Sequence, residues 1–166
     1  HIELFQGTPL LLQLFTLFFG LSLFGLDVPA WLAAGLGLTL FTSAFLAEIW
    51  RGCVEAVPRG QWEASSCLAM TYWEQMRHVI LPQAMRSIIP PTGNEVISML
   101  KTTSLVTAVP YTYDLYARAR DLSVETFNPV PMLLIASTWY LAFTSVLMIG
   151  QHYLERHFAK GASKVM

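Results

Sequence analysis

Three long stretches without a single charged side chain constrain this chain more than anything else in it. Residues 4–26 (LFQGTPLLLQLFTLFFGLSLFGL), 28–47 (VPAWLAAGLGLTLFTSAFLA) and 126–150 (TFNPVPMLLIASTWYLAFTSVLMIG) contain no Asp, Glu, Lys or Arg. A hydrocarbon core about 30 Å thick is crossed by roughly 20 mostly apolar helical residues, so each stretch is long enough to span it. One such run could be the buried helix of a soluble domain. Three of them in 166 residues leave too little chain to surround them. Asp27, with Pro29 just after it, marks a short turn between the first two.

Composition agrees with a membrane setting. Hydrophobic residues make up 54% of the chain and charged residues 13%, where a soluble domain carries about 25% charged residues. Mean hydropathy is +0.49. A net charge of −1 gives nucleic acid no electrostatic reason to bind. Cys53 and Cys67 form no CxxC and suggest no disulfide framework, so both read as small packing residues. The opening HIELFQGTPLLL has neither an initiator Met nor the basic start of a signal peptide, which suggests a fragment whose beginning is missing.

A fourth span is expected within residues 84–110, AMRSIIPPTGNEVISMLKTTSLVTAVP. Arg86 and Lys101 fit opposite interfaces, where long side chains reach water. Glu95 lies between them, and ionisable groups at membrane depth mark functional surfaces. Pro90, Pro91 and Gly93 predict a break in this helix, because proline removes a donor and crowds the preceding turn. A discontinuous membrane helix is a common element of transport sites. Asn94, Glu95 and Ser98 are therefore candidates for a substrate pathway, together with Thr39, Thr42 and Ser43 of the second run. For each of them, a polar group tying helices together is the rival reading. The fold expected is all-α and polytopic, with about four membrane helices in this chain as one transmembrane domain.

Orientation follows the Lys and Arg bias. Arg51, Arg59, Arg77 and Arg86 flank or occupy the segment between the second and fourth spans, and Arg156, Lys160 and Lys164 lie in the tail. The opposite loop, roughly 110–127, holds only Arg118 and Arg120 and is expected to face outward. The bias places residues 58–82 and the C-terminus in the cytoplasm.

That cytoplasmic segment is organised. Pro58 and Gly60 end the preceding helix, and a short helix from about Gln61 to Met70 places Glu63 in its first turn, where the helix dipole favours a carboxylate. Ala64, Ser65, Ser66 and Cys67 are consecutive small residues, so another surface can approach their backbone closely. Thr71 with Glu74 is a capping-box signature, which starts a second short helix running to Leu81 and stopped by Pro82. Trp62, Trp73, Met76 and Ile80 supply apolar ridges. Such a pair fits a docking element for another protein, and equally an amphipathic hairpin lying on the membrane surface.

The stretch EASSCLAMTYWEQMRHVILP resembles the EAA loop of bacterial ABC-importer permeases. Glu63, Ala64, Leu81 and Pro82 match that pattern; Ser65 replaces its third position, Ala69 replaces its Gly and Val79 its Ile. The flanking strings GTPLLLQLF, AFLAEIWRG, VPRGQWEAS, ILPQAMRSIIPP and KTTSLV are similar to the polar amino-acid permease family, the His/Glu/Gln/Arg/opine type. The resemblance runs from about Phe5 to Phe158, with Thr102 standing where the family often has Asp. It implies a five-span inner-membrane permease of which this chain lacks the first span. It also implies that residues 58–82 form coupling helices seated in a groove of a separate ABC ATP-binding subunit, which carries ATP and Mg. The residues implicated in that coupling are Gly60, Trp62, Glu63, Ala64, Ser65, Ser66, Ala69, Leu81 and Pro82. Further partners implied are a second permease subunit, an extracytoplasmic amino-acid-binding protein and membrane lipid.

The chain holds no GxxxxGK[ST] loop, HExxH or GxSxG motif, and His1, His78, His152 and His157 are scattered at no ligand spacing. No cofactor or metal is expected on this chain, and no catalytic role. The rival functions are a channel or scaffold with a docking loop, and an intramembrane enzyme using Glu95 beside Asn94 and Ser98.

Overall fold

A computed structural model describes residues 2–159. Helix α1 (Ile2–Gln6) is followed by a turn at Gly7–Pro9 and by α2 (Leu10–Leu23), whose middle, Thr16–Gly20, is wound as a π-helix. The first charge-free run therefore does not form one continuous span. At about 1.5 Å per residue, α2 reaches only about 21 Å, short of the hydrocarbon thickness. Pro9 causes the interruption: its fixed backbone (φ −60°) starts α2 rather than continuing α1.

Gly25, at φ +77°, closes α2, and Pro29 opens α3 (Ala30–Glu55). The turn itself lies at Phe24–Gly25, just ahead of the expected Asp27–Pro29, which is extended chain leading into α3. Helix α4 (Arg59–Cys67) and the short α5 (Tyr72–Gln75) follow. A π-turn at Met76–Ile80 joins α5 to α6 (Leu81–Thr102), and a 3-10 turn follows at Thr103–Ala108. Helix α7 (Leu115–Glu125) precedes the long α8 (Pro129–Ala159). Lys160 and Lys164, part of the charge bias, lie outside the described residues.

Two helices among the described residues are long and apolar enough to cross a bilayer, Ala30–Glu55 and Pro129–Phe158, against the four expected. Only 22% and 6% of their most apolar stretches are buried. A core helix of a soluble protein would be mostly covered; these present their apolar side chains outward, as lipid requires.

Small residues draw the helices together. Ala33, Ala34, Gly37 and Ala44 line the buried face of α3. A methyl group added at Gly37 would come within 2.7 Å of the Leu14 side chain, so α2 packs there because the position is glycine. Leu10 and Leu14 of α2, Ala34 of α3 and Val106 and Val109 after α6 form one core cluster. A second, formed by Val57, Ile80, Ala84 and Ile88, lies where α3, α4 and α6 converge. Helix α6 sits between α3 and α8, while α7 packs along α8.

Two predicted helix breaks do not occur. Residues 72–102 are helical without interruption, so Pro82 does not stop the second short helix. The wider π-turn at Met76–Ile80 accommodates the ring that an α-helical turn would clash with. Pro90, Pro91 and Gly93 likewise lie inside α6. Pro91 cannot donate to the Ser87 carbonyl, and the Cys53 thiol of α3 donates to it instead at 3.3 Å. Trp50 Nε1 donates to Thr92 Oγ1 at 3.0 Å in the same region. Helix α3 thus supplies a donor for the carbonyl that Pro91 leaves free and a side-chain bond one residue on, and the chain stays helical.

Candidate functional site: the segment between the membrane helices

Pro58 (φ −53°, ψ 134°) caps α4, which begins at Arg59, two residues earlier than expected. Glu63 consequently lies beyond the first turn, and the dipole argument for it weakens. Helix α4 ends in a Schellman arrangement: Ala69 N donates to the Ser66 carbonyl at 2.9 Å and Met70 N to the Ser65 carbonyl at 3.3 Å. This geometry needs a left-handed residue, and Ala69 adopts it at φ +56°. The resembled family has Gly here, and the backbone angle explains why. Left-handed backbone costs a non-glycine residue about 1–2 kcal/mol, while glycine loses about 0.5–1 kcal/mol more on folding. Ala69→Gly is expected to raise stability by about 0.5–1 kcal/mol, seen as a higher unfolding midpoint in detergent.

The capping box forms as read from the sequence. Glu74 Oε2 accepts from Thr71 N at 2.7 Å and from Thr71 Oγ1 at 2.8 Å. These donors favour the ionised carboxyl and lower its pKa below the ordinary value of 4.5. A lowered folded-state pKa contributes stability that is present above the ordinary value and is lost as pH falls through the lowered one. Stability curves of the natural chain and Glu74→Gln should therefore separate above pH 4.5 and converge in more acidic solution.

The four small residues do not share one face. Ser65 is 2% exposed and donates to the Trp62 carbonyl at 2.9 Å, pointing into the chain's own core. Trp62 is half-buried, packs against the Val57–Ile80–Ala84–Ile88 cluster and stacks on Tyr72 at 6.5 Å. Gly60, Glu63, Ala64, Ser66 and Cys67 are exposed, as are Ala69, Leu81 and Pro82. Leu68, 77% exposed at the α4 terminus, adds to this surface, and Cys67, expected to be a packing residue, is exposed on it. Nothing local marks Leu68, because Ala69 is not the glycine that signals a left-handed helix end. Gln75 Nε2 donates to Met70 O at 2.9 Å and Ser66 Oγ at 3.2 Å, and Gln83 Nε2 to Gln61 Oε1 at 3.0 Å. These bonds hold α4 against α5 and α6, so the exposed side chains are presented on a fixed frame.

The candidate pathway residues separate into groups. Thr39 and Ser43 are exposed on α3, whereas Thr42 is buried at 8% and belongs to helix packing. Trp50 opposite Thr92 and Cys53 opposite Ser87 set an antiparallel register. Followed for about two turns, that register brings Ser43 level with Ser98, which is also exposed. Asn94 is engaged elsewhere: its Oδ1 accepts from Gln151 Nε2 of α8 at 3.1 Å. Glu95 is half-buried on α6. Among the described residues no three His, Cys, Asp or Glu side chains converge on a point.

Helix α7 occupies the stretch expected to be a plain outward loop. Asp114 caps it by accepting from Tyr116 N at 2.9 Å, while Ala117, Ala119 and Ser123 are buried. Its C-terminus repeats the Schellman pattern with Phe127 at φ +51°.

Comparison with known proteins places this architecture. The arginine transport system permease protein ArgU of Corynebacterium glutamicum is 50% identical over 181 residues, which cover 100% of this chain and 57% of that protein. The probable glutamine ABC transporter permease protein GlnM of Bacillus subtilis is 36% identical, covering 96% of this chain and 74% of the relative. A crystal structure of an amino acid ABC transporter with histidines matches with a TM-score of 0.87 and 37% identity, over 94% of this chain and 72% of that one. The chain thus spans little more than half of the first of these relatives. Residues 1–160 match the model of the binding-protein-dependent transport system inner membrane component family, and the chain belongs to that family.

Proposed function

We propose that this chain is the membrane-spanning part of an ATP-driven amino-acid importer in a bacterial cytoplasmic membrane. Residues 58–82 dock on a separate ATP-binding subunit, which carries ATP and Mg. Two permease subunits enclose the pathway, and an extracytoplasmic binding protein delivers the substrate. The observation that carries this reading is the uninterrupted helix over residues 72–102, which links the capping box beside the exposed α4 surface to Asn94, Glu95 and Ser98. A displacement of α4 and α5 is thereby delivered along α6 toward the candidate pathway without a hinge. The relative at 50% identity is named for arginine, so a cationic amino acid is the first substrate to test. The full-length permease, assembled with its ATP-binding subunit and binding protein in lipid vesicles, should hydrolyse ATP faster when arginine is supplied. Hydrolysis indifferent to every amino acid and its binding protein would contradict the proposal.

A further inference from the structure

Displacement of residues 58–71 reaches α3 and α6 through the backbone, whereas α8 joins those helices through α7. The direct route from α6 to α8 is contact between side chains, and Gln151 is placed to provide it. Its Nε2 donates from α8 to the Pro90 carbonyl at 3.1 Å and to Asn94 Oδ1 at 3.1 Å. It also lies 2.6 Å from Glu155 Oε1, one turn along α8. An amide nitrogen has two hydrogens, so three acceptors compete for them and the side chain is held from both helices. Gly93 makes room for it: a methyl group there would meet Gln151 Cδ at 2.6 Å and Cγ at 2.8 Å.

At the same turn, α3 also holds α6 through Trp50–Thr92 and Cys53–Ser87. The double-proline turn is thus gripped by two helices, one running directly into residues 58–71 and one reached along the backbone only by way of α7. We infer that Gln151 is a positioning residue that makes α6 and α8 move as one body, so that the displacement of residues 58–82 also carries α8. This rests on the coupling reading above.

The test uses the full-length permease assembled with its ATP-binding subunit in lipid vesicles, with Gln151→Met and Gly93→Ala as variants. Methionine preserves length but donates nothing; the Gly93→Ala methyl displaces the amide without touching its chemistry. Two readouts apply: uptake per ATP hydrolysed, and the distance between spin labels at the exposed Val96 of α6 and Met148 of α8, with and without ATP. In the natural chain that distance should not respond to ATP. Both variants should retain the ATP-binding subunit, lose uptake per ATP several-fold and acquire an ATP-dependent distance, which a merely structural loss of packing would not produce. Variants with natural uptake per ATP and a distance indifferent to ATP would overturn the inference while leaving the coupling reading intact. A natural chain that binds no ATP-binding subunit would refute both.

Discussion

Ala64→Trp in the assembled transporter is expected to abolish uptake while leaving the permease inserted in the membrane. Ala64 is exposed on α4, so the indole meets none of the chain's own core, and surface substitutions of this kind shift stability by only about 0.5 kcal/mol. The clash falls instead on whatever surface seats against α4. Overpacking costs about 1–3 kcal/mol, and each 1.4 kcal/mol is about tenfold in affinity, so docking should weaken by roughly one to two orders of magnitude. Glu63→Lys reverses an exposed charge on the same helix and should act in the same direction. Ser65→Trp is the contrasting control. Ser65 is buried, so the bulky residue should destabilise the permease itself. Uptake at natural rates in both Ala64→Trp and Glu63→Lys, measured in vesicles with the ATP-binding subunit present, would reduce α4 and α5 to a surface hairpin.

The second large effect is all-or-none. If α6 crosses the bilayer, residues 58–82 and the end of α8 share the cytoplasmic side and α7 faces outward. A membrane-impermeant thiol reagent added outside intact cells should label Asp121→Cys. It should leave Gln61→Cys and the native, exposed Cys67 unlabelled until the membrane is opened. The reverse pattern would invert the topology and place the proposed docking segment on the wrong side for any ATP-hydrolysing partner.

Features set by composition or by neighbours along the chain could be read from the sequence. The absence of charge over residues 28–47 and 126–150 leaves lipid as the only economical surroundings for α3 and α8, and both helices formed. Thr71 and Glu74 are three residues apart, so their capping box depends on little else. Features decided by distant partners could not be read. Pro90 and Pro91 predict a break by every local rule, but the turn stays helical, with Cys53 and Trp50 of α3 bonded to the Ser87 carbonyl and the Thr92 hydroxyl alongside it. The π-turn that lets Pro82 pass is invisible for the same reason. The orientation of Ser65 depends on Trp62 seating in the cluster around Ile80, which brings together residues from three helices. Helix α7 is legible in the sequence after all: Asp114 before Leu115 is an ordinary N-cap signal. The substitution of Ala for Gly at position 69 was visible, but its meaning required the backbone angle.

The claim that residues 58–82 dock on an ATP-binding subunit can be tested from within the segment. Cys67 presents a free, exposed thiol on α4, and Cys53→Ser removes the other thiol while keeping a donor for the Ser87 carbonyl. A photoactivatable cross-linker attached to Cys67 of the full-length permease, illuminated while the transporter is hydrolysing ATP, should capture the ATP-binding subunit. Capture only of lipid, or of nothing, from a preparation that transports at its natural rate would contradict the account.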